Sequence, residues 1–196
     1  AGIPRGVLQV LPGDGPSVGE PLGRHMDVDM VSFTGSTETG RRFLQYAADS
    51  NLKKVVLECG GKNPALVFDD AENLDHVAEH VVNGAFWNAG QNCSATSRLI
   101  VHSAVKAGLL DKINARIRDW KVGNPLDPAN HIGALIDKDH CSKVRSFLDD
   151  KGDGPFISPT VFEVEADDQR ARDEIFGPVL CVITVDSNDE AVQVAN

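Results

Sequence analysis

The sequence predicts an α/β fold with much parallel sheet, and three observations carry that prediction. Short apolar and β-branched runs alternate with amphipathic helical stripes along the chain. The turns from strand into helix are built from Gly, Ser, Thr and Pro. At 196 residues the chain suits one domain or two small ones and is long enough to bury a real core. Strands alternating with helices make a layered architecture, and ligands in such sheets bind beyond the carboxyl ends of strands.

Composition narrows the function classes. The formal net charge is −10 with no Lys or Arg block to offset it, which disfavours nucleic acid and membrane surfaces and favours a small-molecule partner. No apolar run approaches a transmembrane span, and Ala1-Gly2-Ile3-Pro4-Arg5 has neither region of a signal peptide. Cys59, Cys93, Cys141 and Cys181 form no CxxC pair, as expected of reduced thiols in a cytoplasmic compartment.

Taken in order, Gly6 to Leu11 reads as a strand closed by Pro12-Gly13, with Pro16 in the first turn of a helix reaching His25. Gly13, Gly15 and Gly19 come close to a dinucleotide fingerprint, but the last glycine is one residue late; a glycine turn feeding a helix is the other reading. Asp29 to Phe33 is a strand, and Thr34-Gly35-Ser36-Thr37 turns it into a helix carrying Phe43, Leu44 and Ala47 on one side. That turn reads equally as an anion site or as a plain N-cap. Lys53 to Leu57 is a strand running into Glu58-Cys59-Gly60-Gly61-Lys62, and Ala65 to Phe68 is another. Glu58 is either a general base made accessible by the glycines or a solvated turn residue.

Asn73 to Trp87 is the clearest helix, with Leu74, Val77, Ala78, Val81, Val82, Ala85 and Phe86 in one stripe. His76, Glu79 and His80 match an HxxEH metallopeptidase spacing but lie off that stripe, so a solvated polar face is expected and no metal is assigned. Trp87-Asn88-Ala89-Gly90-Gln91-Asn92-Cys93-Ser94 then places a thiol at a junction between elements, either a buried filler or a nucleophile. Arg98 to His102 is a strand, Val105 to Ile117 a helix, Gly123 to Pro128 a loop and Ser142 to Leu148 a short helix. An acidic, glycine-rich connection from Asp149 to Pro155 precedes strands at Thr160 to Val164 and Val179 to Val185, and a helix begins near Asn188. Thr34 to Thr37, Glu58 to Lys62 and Glu174 to Pro178 all follow or flank strands.

Four strings together resemble the aldehyde dehydrogenase superfamily: Phe33-Thr34-Gly35-Ser36-Thr37-Glu38-Thr39-Gly40, Leu57-Glu58-Cys59-Gly60-Gly61-Lys62, Gly90-Gln91-Asn92-Cys93 and Glu174-Ile175-Phe176-Gly177-Pro178. They occur in the family's order and at similar separations, and the likeness extends to Gly123 to Asp127 and Ser158 to Phe162. The resemblance implies an aldehyde dehydrogenase-like α/β fold: residues 1–57 as the C-terminal half of a Rossmann-type NAD(P)-binding domain, and residues 58–196 as most of the catalytic domain. It implies oxidation of an aldehyde to an acid with NAD, NADP being left open.

In that scheme Cys93 is the nucleophile that passes through a thiohemiacetal to a thioester, and Glu58 activates the water that hydrolyses it. A carboxylate there implies hydrolysis, since members that pass the acyl group to coenzyme A lack it. The oxyanion site would use the Cys93 amide, its partner Asn lying upstream. Gly35, Ser36, Thr37, Glu38, Thr39 and Gly40 would meet the cofactor, with Gly35 and Ser36 against the pyrophosphate. Gly15 lies toward the adenine end, while Glu174 and Phe176 would hold the nicotinamide ribose and ring. Cys59 replaces an apolar residue, and a neutral thiol packs much as one.

The resemblance also implies a piece of a longer homo-oligomeric protein, dimer or tetramer. The first cofactor strands would precede Ala1, the connection at residues 151–154 is shortened, and an oligomerisation strand would follow Asn196. The chain looks like the branch that oxidises amino- and amido-aldehydes from polyamine breakdown. The competing readings are a non-catalytic fragment or subunit and a cysteine hydrolase, the latter lacking an identifiable His base.

Overall fold

The computed structural model describes residues 2–148 and 152–196. The chain divides into two compact units, Ala1–Gly60 and Gly61–Asn196. The acidic connection expected from Asp149 onward lies in part outside the described residues, as does the start of the shortened segment at Lys151.

In the first unit a π-helical turn at Gly15–Gly19 leads into α1 (Glu20–Arg24), followed by β1 (Met30–Thr34), α2 (Thr37–Ala48) and β2 (Lys54–Glu58). The strands pair in parallel from Met30↔Lys54 to Thr34↔Glu58. Burial alternates along both, so Val31, Phe33, Val55 and Leu57 are half-buried while Met30, Val56 and Glu58 are exposed. The Phe33 and Phe43 rings meet at 4.8 Å. Lys53 is buried, and its ammonium donates to the Gly23 carbonyl at 2.6 Å and to Ser50 Oγ at 2.9 Å, which meets the need of a buried cation for acceptors.

The strand expected at Gly6 to Leu11 does not form. Those residues are turn and irregular chain, with Val10 83% exposed. Apolar, β-branched composition supplies strand propensity but no ladder partner, and among the described residues no strand pairs with this run.

The second unit contains β3 (Asn63–Val67), α3 (Leu74–Phe86), β4 (Thr96–His102), α4 (Ser103–Arg118), α5 (Lys138–Leu148), β5 (Thr160–Glu163), α6 (Gln169–Arg172), β6 (Val179–Val185) and α7 (Asn188–Ala195). Its sheet is parallel throughout in the order β3-β4-β6-β5. The central strands carry the core: Leu99, Ile100 and Val101 of β4 and Val179 to Ile183 of β6 are buried, as continuous apolar runs covered on both faces should be. Pro64, which has no N–H to donate, sits at a register irregularity of the edge strand β3. The stripe on α3 faces inward, with Ala78, Val81, Val82, Ala85 and Phe86 buried. Helix α5 starts earlier than its apolar pattern indicates because the Asp137 carboxylate accepts from the His140 amide at 2.7 Å and caps it. Among the described residues no helix is long and apolar enough to cross a membrane.

Candidate active site

Helix α3 ends at Phe86 because the chain then turns left-handed: Asn88, Ala89 and Gly90 take φ of 53°, 57° and 68°. Asn and Gly accept this region readily, whereas Ala89 does so at a cost of about 1–2 kcal/mol. Burial offsets that cost. Phe86 is fully buried and Ala89 only 3% exposed, and burying a side chain the size of Phe is worth about 1.5–3 kcal/mol. The turn leaves Trp87 64% exposed and delivers Cys93, also exposed, just ahead of β4.

Asn92 shapes the cysteine loop. Its Oδ1 accepts from the Ser94 amide at 3.3 Å and Ser94 Oγ at 3.2 Å, while its carbonyl accepts from the Ala95 amide at 3.0 Å. The Cys93 thiol lies 3.8 Å from Asn92 Oδ1, and its carbonyl accepts from Asn63 Nδ2 at 3.4 Å. Among the described residues the Cys93 amide makes no hydrogen bond. An exposed thiol with its own N–H left free is the arrangement acyl chemistry needs, since that N–H can receive the charge that develops on oxygen.

The loop from Glu174 to Pro178 is held from three directions. Glu174 Oε1 accepts from the Gly61 amide at 3.2 Å, which leaves Oε2 for another donor. Two side chains of α5 hold the loop's carbonyls: Lys143 Nζ donates to Glu174 O at 2.9 Å, and His140 Nε2 donates to Phe176 O at 2.7 Å. Phe176 has φ of 59°, unusual for an aromatic residue, and its ring meets the His140 imidazole edge to face at 5.9 Å. The third support is backbone contact. A Cβ on Gly90 would fall 2.1 Å from Gly177 O, and one on Gly177 would fall 2.8 Å from Val144, so only glycines let the cysteine loop, the Glu174 loop and α5 approach this closely.

Behind these loops is a small cavity of about 20 Å³ lined by Gly61, Lys62, Asn92, Ser97, Glu174 and Phe176, among others. That is room for about one water. Lys62 Nζ and Ser97 Oγ are buried and, among the described residues, have no hydrogen-bond partner. Burial pushes the Lys62 ammonium pKa below its ordinary value and the Cys181 thiol pKa above its own.

The other expected site residues lie in the first unit. Glu58 is exposed at the end of β2, and its carbonyl accepts from the Gly35 amide at 3.0 Å, which joins the β1 and β2 turns. Ser36 caps α2 by accepting from the Thr39 amide at 3.2 Å, and the two hydroxyl groups are 3.0 Å apart. Helix geometry leaves the amides of Thr37 and Glu38 without intrahelical acceptors. The Glu38 side chain pairs with Arg42 at the surface. Gly40 is buried, and a Cβ there would meet Cys59 Sγ at 2.9 Å, so it serves helix-to-strand packing. Gly15 is exposed in the π-helical turn, capped where the Asp14 carboxylate accepts from the Ser17 amide at 2.7 Å.

Residues 1–196 match the family described as Aldehyde dehydrogenase family. The chain belongs to that family. Over 210 aligned positions it is 57% identical to aminoacetaldehyde dehydrogenase of Pseudomonas aeruginosa, covering all of this chain and 42% of that protein. It is 41% identical to the NADP/NAD-dependent aldehyde dehydrogenase PuuC of Escherichia coli, with the same coverage. The solved structure of the aldehyde dehydrogenase KauB from Pseudomonas aeruginosa matches with a TM-score of 0.96 at 41% identity, covering all of this chain and 43% of that one. An indole-3-acetaldehyde dehydrogenase complexed with NAD+ matches with a TM-score of 0.94 at 42% identity, with the same coverage. This aldehyde dehydrogenase family chain thus spans about 42% of the length of the curated relatives it matches. Its α/β architecture with parallel sheets is the family's.

Sequence reasoning missed the supports of this site: the Gly61 amide on Glu174, Asn63 on the Cys93 carbonyl, and His140 and Lys143 on the Glu174 loop. The asparagine and glycine around Ala89 were the available signal for the left-handed turn. The Gly61 to Glu174 bond spans 113 residues, and no local pattern encodes it.

Proposed function

We propose that residues 1–57 are the second half of a cofactor-binding domain and residues 58–196 most of a catalytic domain, in an enzyme that oxidises a small aldehyde to its acid. The observation that carries this reading is Cys93, exposed after a left-handed turn with its amide free of hydrogen bonds among the described residues. The thiolate adds to the aldehyde carbon, and the oxygen that gains the charge is met by the Cys93 amide. NAD or NADP, when bound, supplies the hydride acceptor. Loss of hydride from the thiohemiacetal carbon leaves a thioester on Cys93. Glu58 takes a proton from the water that attacks this thioester, which releases the acid and restores the thiol.

The residues present suit a dinucleotide. The turn at Gly35 and Ser36, with the first-turn amides of Thr37 and Glu38, suits an anionic pyrophosphate. Glu174 Oε2 suits a ribose hydroxyl, and Phe176 a flat ring. Thr39, Gly40 and Gly15 complete the set, Gly40 acting through packing. Likeness to an NADP/NAD-dependent aldehyde dehydrogenase and to a dehydrogenase complexed with NAD+ favours NAD with NADP as an alternative, and likeness to an aminoacetaldehyde dehydrogenase favours a small aminoaldehyde. The reading includes a cytoplasmic homo-oligomer without nucleic-acid or membrane partners.

In the complete enzyme, Cys93→Ala should lower aldehyde-dependent cofactor reduction by at least about a thousandfold and leave the cofactor Kd within about threefold. Retained turnover would contradict the role of Cys93. A second reading, that the 196-residue chain does not turn over by itself, is favoured by its covering 42% of its relatives. Aldehyde-dependent cofactor reduction by this chain alone tests the second reading: turnover contradicts it, and no turnover beside an active complete enzyme supports it.

A further inference from the structure

Helix α3 carries a feature that aldehyde chemistry leaves unused. His76 and His80 are exposed one turn apart, with Nε2 atoms 3.0 Å from each other and rings edge to face at 4.4 Å between centroids. In the metal-free protein one Nε2–H donating to the other Nε2 accounts for that approach. The same spacing is also the bite of a chelate. Two imidazole nitrogens about 2.1 Å from one ion and 3.0 Å apart subtend about 90° at the metal. That is the cis angle of octahedral and tetragonal ions, narrower than the tetrahedral angle of zinc.

We propose that His76 and His80 form a surface site for a divalent late transition-metal ion of octahedral or tetragonal preference, Ni²⁺ or Cu²⁺, bound through both Nε2 atoms. Each ring gives its Nε2 lone pair, and the ring that donated the hydrogen bond carries its proton on Nδ1 instead. Water fills the remaining positions, since among the described residues no group of three or more His, Cys, Asp or Glu side chains is placed to hold a metal.

The pair is held ready by its helix. The Asn73 side chain accepts from the His76 amide at 3.1 Å and caps α3, while Ala78, Val81 and Val82 anchor the helix in the core. Rings preset in this way should act as one chelate rather than as two independent imidazoles. The other four histidines are engaged apart from one another: His25 accepts from the Asp27 amide, His102 accepts from the Ala104 amide and donates to Asp186 O, His131 accepts from the Lys121 amide, and His140 donates to Phe176 O.

The test is Ni²⁺ titration by calorimetry into the complete enzyme and its His76→Ala, His80→Ala, double and Cys93→Ser variants. Ni²⁺ is the probe because it does not oxidise thiols. Thermal melts with and without Ni²⁺ report binding through a second observable. We expect one tight Ni²⁺ per chain and a Ni²⁺-dependent rise in Tm. Each single His variant should lose at least tenfold in affinity and the Tm rise, with little further loss in the double variant and none in Cys93→Ser. Single variants that bind within threefold of the parent, losses that add as for independent imidazoles, or loss in Cys93→Ser alone would overturn the proposal.

Discussion

Ala89 has neither the side-chain amide of Asn88 nor the bare Cα of Gly90, yet it holds the same left-handed conformation. Burial of the turn, Phe86 included, offsets the backbone cost. Gly90 has no such latitude, because a Cβ would meet the Gly177 carbonyl at 2.1 Å and φ is 68°. Gly90→Ala should therefore lower unfolding free energy by roughly 2–4 kcal/mol in urea denaturation, and a loss below about 0.5 kcal/mol would show that the loops need not touch. Lys62 makes a pH-dependent claim. Burial holds its folded pKa below the ordinary 10.5, so below that folded value both states are protonated and the burial penalty is complete. Between the lowered pKa and 10.5 the unfolded chain binds more proton, so stability rises with pH across that window. Lys62→Met removes the charge, and its stability advantage over the parent should shrink as pH approaches 10.5 in urea melts; an advantage constant with pH would contradict the assignment. At this scale Cys93, Glu58 and Glu174 stand out in the sequence as chemical groups at element ends, whereas their supports depend on tertiary pairing.

Among the elements, α3, β4 and β6 were legible because each has one strong period: a helical stripe, or an unbroken apolar run of strand length. The run at Gly6 to Leu11 has comparable composition and fails as a strand for want of a partner. Helix α6 was missed because four residues, Gln169–Arg172, show no period. Its signal is the cap. The Asp168 carboxylate accepts from the Arg170 amide at 2.8 Å and from the guanidinium at 2.6 Å and 3.0 Å, and the Arg170 guanidinium sits over the Phe162 ring. Those bonds from Arg170 lower the Asp168 pKa from 3.8 to about 2. Its stabilising contribution is therefore present above 3.8 and lost as pH falls to about 2. Asp168→Asn keeps a capping oxygen but loses the charge, so the stability gap between parent and variant should be open at pH 6 and close by about pH 2. A gap that persists in acid would mean that packing, not the ion pair, sets it.

For the whole molecule, the fold class and the family were legible because four separate strings fall in one order along the chain. Net charge of −10 disfavours nucleic-acid and membrane partners but does not choose a reaction. The choice rests on Cys93 forming a covalent bond to its substrate. The most direct test is to mix the complete enzyme carrying Glu58→Gln with NAD and an aminoaldehyde, quench in acid and map adducts by peptide mass spectrometry. With the proposed hydrolytic base removed, an acyl thioester is expected on the Cys93 peptide, accompanied by a burst of about one equivalent of NADH. An acyl group on Cys59, Cys141 or Cys181, or continued turnover with no adduct on Cys93, would contradict it.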